Sequence, residues 1–382
     1  MSAPSGQIAD LSRCAVSGEN GSPLTARRYK EPDHPYRTPF QRDRDRVLHA
    51  RAFRRLAGKT QVFTRRLSDH FRSRLTHTIE VTQITRTIAG ALRLNEDLAE
   101  TLALVHDIGH PPFGHAGERV LNAELALYKL RFDHNLHALR IVEYFEQRYA
   151  AFRGLNLTLG VREGIIKHSR DYKLSEHPEL ADYFLDLRPP LEAQLVDLAD
   201  EIAYLTADLD DGIESGVLKI DHVVENVPLL ARYYREMRQQ YSSVADKLVF
   251  NESLKRMLNE LVGDLIRTTS ENVAASHAQS LDDIRKLPHR LVAFSQAMES
   301  DRLLAKKYLY DTLYESAELA PEKDQAATVI GSLFRHWIAN PALLPENQLP
   351  NLKHDSLPRV IADYIAGMTD AFIMETYRDQ CG

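Results

Sequence analysis

The stretch LVHDIGHPPFGHAGE, residues 104–118, decides how the rest of the chain is read. His106 and Asp107 are adjacent. On a helix such neighbours diverge by about 100 degrees, so both reach one metal only near a helix end. Gly109, Pro111, Pro112 and Gly114 supply that end and a rigid loop, which presents His110 and His115 beside the same place. Three histidines and two acids within thirteen residues, 106–118, form a site-like cluster rather than a chance pair. Imidazole and carboxylate together suit a borderline or hard divalent cation, with positions left open for water and substrate.

Outward from this loop, His77 lies upstream in SRLTHTIEVTQI, and an acidic helix, VDLADEIAYLTADLDDG, lies downstream. In that helix Asp200, Tyr204 and Asp208 recur at four-residue spacing, while Leu195, Leu198, Ile202, Leu205 and Leu209 form the apolar side. One face therefore offers a carboxylate, an aromatic hydroxyl and a second carboxylate. Among Asp197, Asp200, Asp208, Asp210 and Asp211, flanking Ala199 and Ala203 favour Asp200 as a crowded ligand position. His115 and Glu118 are three residues apart on one face of a new helix. A carboxylate there fixes the imidazole's tautomer and raises its basicity, which makes an acid–base dyad; the competing reading is a helix-capping contact.

The chain has 382 residues, 43% hydrophobic and 27% charged, which excludes wholesale disorder and allows a large core. Its two cysteines, Cys14 and Cys381, lie in no paired motif, so a disulfide framework and a structural zinc are excluded. No apolar run approaches the roughly 18 residues needed to span a bilayer, and the N-terminus lacks a signal-peptide pattern, so the expected compartment is the cytoplasm, with no membrane partner. Although the net charge is -6, the segment from Arg27 to Arg74 is crowded with arginines: Arg42, Arg44, Arg46, Arg51, Arg54, Arg55, Arg65, Arg66, Arg72 and Arg74. Guanidinium forks match phosphate oxygens, so an anionic ligand is expected; a solvated helix face is the plainer account of any single one.

Helical periodicity dominates, and the expected class is all-α. Leu75, Ile79, Ile84 and Ile88 are expected on one side of a helix. Short β pieces are expected at most near 59–63 or 155–161. Residues 1–40 read as an N-terminal arm, partly extended or disordered; 41–215 as the catalytic core; 216–382 as a C-terminal helical region of the same body, with a boundary candidate at 214–221.

The order His77, His106-Asp107, Asp200 resembles the HD-domain metal phosphohydrolase superfamily. The strings FRRLAGKTQVF, HDIGHPPFGHAGE, FDHNLHALRI, LEAQLVDLADEIAY and DYIAGMTD are similar to those of the bacterial deoxyguanosinetriphosphate triphosphohydrolase family, from about residue 40 to about 370. The resemblance implies an HD-domain helical bundle with additional C-terminal helices packed on it. It also implies one divalent ion (Mg, Mn, Fe, Co or Ni) on His77, His106, Asp107 and Asp200, with His110 and His134 as candidates for a second. His115 and Glu118 would be catalytic, and His110 would lie near the phosphates. Arg74 would contact phosphate, Tyr204 the sugar and Asp208 the 3′-hydroxyl, while Arg55, Lys59, Gln61, His134 and Asn135 would belong to the nucleotide pocket. One departure is His137, where many relatives carry glutamine.

The implied reaction is attack of water on the α-phosphorus of dGTP or another dNTP, releasing deoxynucleoside and intact triphosphate. A homo-oligomer, a dNTP activator and single-stranded DNA are the further partners that the resemblance and the arginines bring in. Two alternatives stand beside it: an HD-domain hydrolase of nucleoside monophosphates or cyclic nucleotides, and a nucleic-acid-binding protein with a vestigial site.

Overall fold

The computed structural model describes residues 9–62 and 71–382, which leaves Phe63, Arg65 and Arg66 of the readings above outside the described residues. Among the described residues the regular structure is helical, with three isolated β-bridges and no strand. Fold class is therefore all-α, as the periodicity indicates. The β pieces reduce to bridges, Thr60 with Ser73 and Arg27 with Thr158, and Val161 lies in the helix Leu159–Lys167. No helix among the described residues is long and apolar enough to cross a membrane.

The chain forms two compact units, each assembled from separated stretches. The first takes 1–45, 79–104 and 157–316; the second takes 46–78, 105–156 and 317–382. Residues on both sides of the expected boundary near 215 fall in the first unit, because the turn at 215–219 joins helices of that same unit. From Ala9 onward the N-terminal arm contains two single 3-10 turns, Ser12–Cys14 and Pro23–Thr25, and it buries Leu11, Cys14, Val16 and Leu24.

In the first unit the 24-residue helix Leu191–Glu214 follows Pro189-Pro190 and stops just before Gly216, whose φ of 77° is left-handed backbone that glycine adopts without strain. It packs on Asp246–Ala275 and Gln296–Leu309. In the second unit Ala320–Ala339 packs on Gly114–Ala126, Leu357–Ala366 and Asp370–Cys381. Phe113, Leu121, Leu125, Phe132, Phe334, Trp337 and Ile365 fill the core between them.

The helix Arg74–Ala91 departs from the expected stripe. Ile79 is 54% exposed, and the buried side carries His77, Thr78, Val81, Ile84, Thr85 and Ile88. His77 takes the place on the inward face that the apolar pattern alone gave to Ile79.

Candidate active site

The second unit gathers most of the expected residues. Glu96–Val105 ends one residue before His106, so His106 and Asp107 sit in the turn beyond a helix end, as the glycines and prolines require. Gly109 permits the next step: a Cβ there would lie 1.9 Å from His134 O and 2.6 Å from Ala138 N, so only glycine lets the loop pass the start of His134–Arg140. That helix is capped by Asp133, whose Oδ1 accepts from Asn135 N and Leu136 N.

His77, His106, Asp107 and His110 are all buried, and the His77 and His106 rings lie 6.2 Å apart by their centroids. Asp107 is the hub. Its Oδ2 accepts from Arg74 Nη1 at 2.8 Å, and its Oδ1 lies 2.9 Å from His110 Nδ1 and 3.5 Å from His106 Nε2. Burial works to raise this carboxyl, but Arg74 and the two imidazoles outweigh it and hold Asp107 well below the usual carboxylate range. For His110, burial first and then the charges of Arg74 and His134 hold the imidazole well below its ordinary value. It is neutral near pH 7.

Arg74 is 1% exposed, and its Nε and Nη2 have no hydrogen-bond partner among the described residues. A buried guanidinium with open donors is costly until an anion meets it.

The His115–Glu118 pair at the head of Gly114–Ala126 is looser than its spacing suggests. His115 Nδ1 lies 3.7 Å from Glu118 Oε2, and the His115 side chain is 72% exposed. Glu118 is held more closely by His134, whose Nδ1 is 2.8 Å and whose backbone N is 3.2 Å from Oε1. His134 in turn stacks on His110, centroids 4.1 Å apart at 24°. Burial would raise Glu118, yet the two imidazoles overcome it and keep it ionised, well below its ordinary value. His110, His115 and Glu118 also place ligand-type atoms within 4.8 Å of one another.

The residues of FRRLAGKTQ expected in a nucleotide pocket, Arg55, Lys59 and Gln61, differ in what they meet. Lys59 Nζ is buried and donates to His110 O at 2.5 Å and Ala366 O at 2.8 Å; burial pushes its ammonium down to about 7. Arg55 is exposed and donates to Gly367 O, whereas Gln61 Oε1 is buried with no partner among the described residues. Asn135 is fully buried. His137 is buried too, its Nδ1 3.2 Å from Asp363 Oδ1, and Arg140 meets the other oxygen of that carboxylate at 2.7 Å.

The first unit carries the acidic face. Asp200 and Tyr204 are half-buried and Asp208 is buried on Leu191–Glu214. Of the five acids among which the sequence favours Asp200, Asp210 pairs with Lys247 at 3.2 Å, and Asp208 accepts the hydroxyl of Tyr314. Burial, then the charge of Asp200, pushes Asp197 up to about 6. The Tyr204 hydroxyl is buried without a partner among the described residues, and Lys306 Nζ sits 5.8 Å from its ring. Tyr314 and Lys306 escaped the sequence reading. Both belong to Gln296–Leu309 and the π-turn that extends it, Tyr310–Tyr314, where no motif marks them.

The arginine surplus is largely neutralised within the first unit: Arg27 pairs with Asp43, Arg37 with Asp45, Arg42 with Glu31, and Arg44 with Asp97 and Glu100. Of the arginines expected to meet an anion, Arg74 is, among the described residues, the one buried with open donors.

Comparison with known proteins adds the following. The family model described as HD domain matches residues 74–205, and the one described as phosphohydrolase-associated domain matches 292–379. A protein of Ralstonia pickettii is 45% identical over 92% of this chain and 90% of its own length. One of Bordetella pertussis is 42% identical over 98% and 97%, and one of Caulobacter vibrioides 40% identical over 95% of each. All three are named deoxyguanosinetriphosphate triphosphohydrolase-like protein.

Proposed function

The chain belongs to the deoxyguanosinetriphosphate triphosphohydrolase-like family of HD-domain phosphohydrolases, and from that membership we propose that it hydrolyses dGTP or another dNTP to deoxynucleoside and inorganic triphosphate in a metal-dependent reaction. The observation that carries this reading is Arg74, a buried fork fixed on Asp107 by one nitrogen with two more donors open. Phosphate oxygens are the acceptors such a fork is shaped for.

The donor set fits a divalent cation: His77, His106 and Asp107 are buried imidazole and carboxylate, and the H…HD…D order adds Asp200, all inside the matched HD segment. A cation held there supplies Lewis acidity at the α-phosphoryl group and acidifies a water molecule. Arg74 binds phosphate and keeps the Asp107 carboxylate ionised and oriented. His115 gives its proton to the 5′-oxygen as the bond from that oxygen to the α-phosphorus breaks, while the oxygen of water forms the new bond to that phosphorus and its proton is released to solvent. Glu118, fixed by His134, orients His115. Asp208 and Tyr204 serve the sugar.

Product analysis across the four dNTPs, with Mg or Mn, tests the reading. Deoxynucleoside and triphosphate are expected; dNDP or pyrophosphate would refute the bond assigned. Turnover confined to monophosphates or cyclic nucleotides would transfer the site to that chemistry. Oligonucleotide binding without turnover under any metal would make the site vestigial. A second dNTP and a single-stranded oligonucleotide, added as effectors, test the two further partners, and sedimentation tests assembly.

A further inference from the structure

Asp370 begins the last helix, Asp370–Cys381, but does not cap it; Thr369 does, its side chain accepting from Phe372 N. The Asp370 carboxylate faces elsewhere in the second unit. Oδ2 accepts from Thr60 N at 2.7 Å and from Thr60 Oγ1 at 2.5 Å, and Oδ1 accepts from Phe113 N at 2.9 Å. One side chain thus ties the segment that leads toward Arg74 to the residue two places before His115.

Phe113 is where such a tie has most effect. Its φ of 60° is left-handed, a conformation that costs a residue with a Cβ roughly 1–2 kcal/mol and persists only where surrounding contacts enforce it. It has no side-chain cap for the helix it introduces, and His115 lies in the first turn of that helix with Glu118 just beyond it. The other end of the loop is held from the same stretch of chain: Ala366 O and His110 O share the Lys59 ammonium. Thr369 fills the space beside Gly58, where a Cβ would lie 2.9 Å from Thr369 Cγ2. Between the two held ends are Pro111 and Pro112, which have no N–H to offer and little freedom in φ.

We propose that Asp370 is a positioning residue of the reaction: through Phe113 N and Thr60 its carboxylate sets the loop conformation that aims the His115–Glu118 pair at the leaving oxygen. The proposal rests on the phosphohydrolase reading above. A plain structural staple would also bind Thr60 and Phe113, but its loss would weaken all reactions of the site alike. A positioning residue for the proton donor matters only where the leaving group needs a proton.

The test uses the full chain, metal-loaded, with dGTP and with bis(4-nitrophenyl) phosphate, whose nitrophenolate departs without protonation. Asp370→Asn keeps the shape but must turn an NH2 toward one of its N–H donors. Its kcat for dGTP is expected to fall about 10- to 100-fold with KM little changed, because sub-ångström misplacement of a catalytic group has costs of that order. Turnover of the aryl ester is expected to stay within about threefold, since general-acid assistance contributes little there. Equal losses on both substrates, or none on either, overturn the positioning role while leaving the hydrolase reading intact. A wild-type protein that cleaves none of the four dNTPs overturns that reading instead, and one that prefers another dNTP to dGTP is tested with that dNTP in its place. Should Asp370→Asn fail to fold, Thr60→Val removes one of the three bonds; it is expected to show the same selectivity in weaker form, and a non-selective loss in it overturns the proposal.

Discussion

In the proposed reaction Glu118 is the residue on which the proton chemistry turns, and its state is set by neighbours from two directions. Because its folded pKa lies below the ordinary 4.5, the folded protein binds fewer protons there than the unfolded chain. The resulting stability is fully present above 4.5 and is lost as pH falls through the depressed folded value. Glu118→Gln is therefore expected to lower kcat by about 100-fold or more, as loss of acid–base catalysis does. The stability gap between variant and wild type, read from urea midpoints, should be constant from pH 7 down to about 5 and narrow below 4.5. A gap independent of pH would remove the ionised carboxylate from the account. The His115 side of this arrangement was legible in the sequence, since three residues on a helix make one face. The His134 side was not: it lies sixteen residues from Glu118, beyond the reach of helical spacing, although its contact is the shorter one. The Tyr314–Asp208 contact is hidden for the same reason, its partners standing 106 positions apart in the chain.

At the scale of elements, the turn after Glu96–Val105 could be read directly, because glycine and proline carry their backbone geometry with them. What the turn packs against could not. In sequence Gly109 reads as a helix stop, and in the structure it also passes so close to His134–Arg140 that a Cβ would collide with that helix. The obstructing atoms are backbone, which cannot rotate aside as a side chain does. Gly109→Ala is therefore expected to force the loop away from that helix and to cost about 2 kcal/mol or more, at the upper end of overpacking substitutions. Urea unfolding measures it, and a variant within 0.5 kcal/mol of wild type, about the ordinary surface scatter, would mean that the loop yields freely. The misplaced Ile79 has a related cause. Periodicity counts apolar residues, and on Arg74–Ala91 the inward face is built from His77, Thr78, Thr85 and the charged Arg74 as much as from isoleucine. Buried polar residues of the candidate site take the inward places there.

For the whole molecule, the all-α class followed from periodicity throughout, but the way the chain divides did not, because compact units drawn from separated stretches leave no mark in local composition. The second unit combines 105–156 with 317–382 in one core, where Phe113, Leu121, Leu125 and Phe132 meet Ile330, Phe334, Trp337, Ile361 and Ile365. The matched HD segment ends at 205, and the segment matched as phosphohydrolase-associated supplies the other side of that core. An isolated 41–215 fragment, the length that the sequence suggests for a catalytic core, would hold His77, His106, Asp107, His115, Glu118 and Asp200 and yet lack the partners of its own buried aromatics. Each large apolar side chain so exposed forfeits about 1.5–3 kcal/mol of burial, and net stabilities of whole domains are only about 5–15 kcal/mol. The fragment is therefore expected to keep helical circular dichroism without a cooperative thermal transition and to bind a hydrophobic dye. The full chain should melt sharply. A cooperative melt of 41–215 alone would show that the residues after 316 are dispensable to the loop that carries His110 and His115, and would also weaken the role assigned to Asp370.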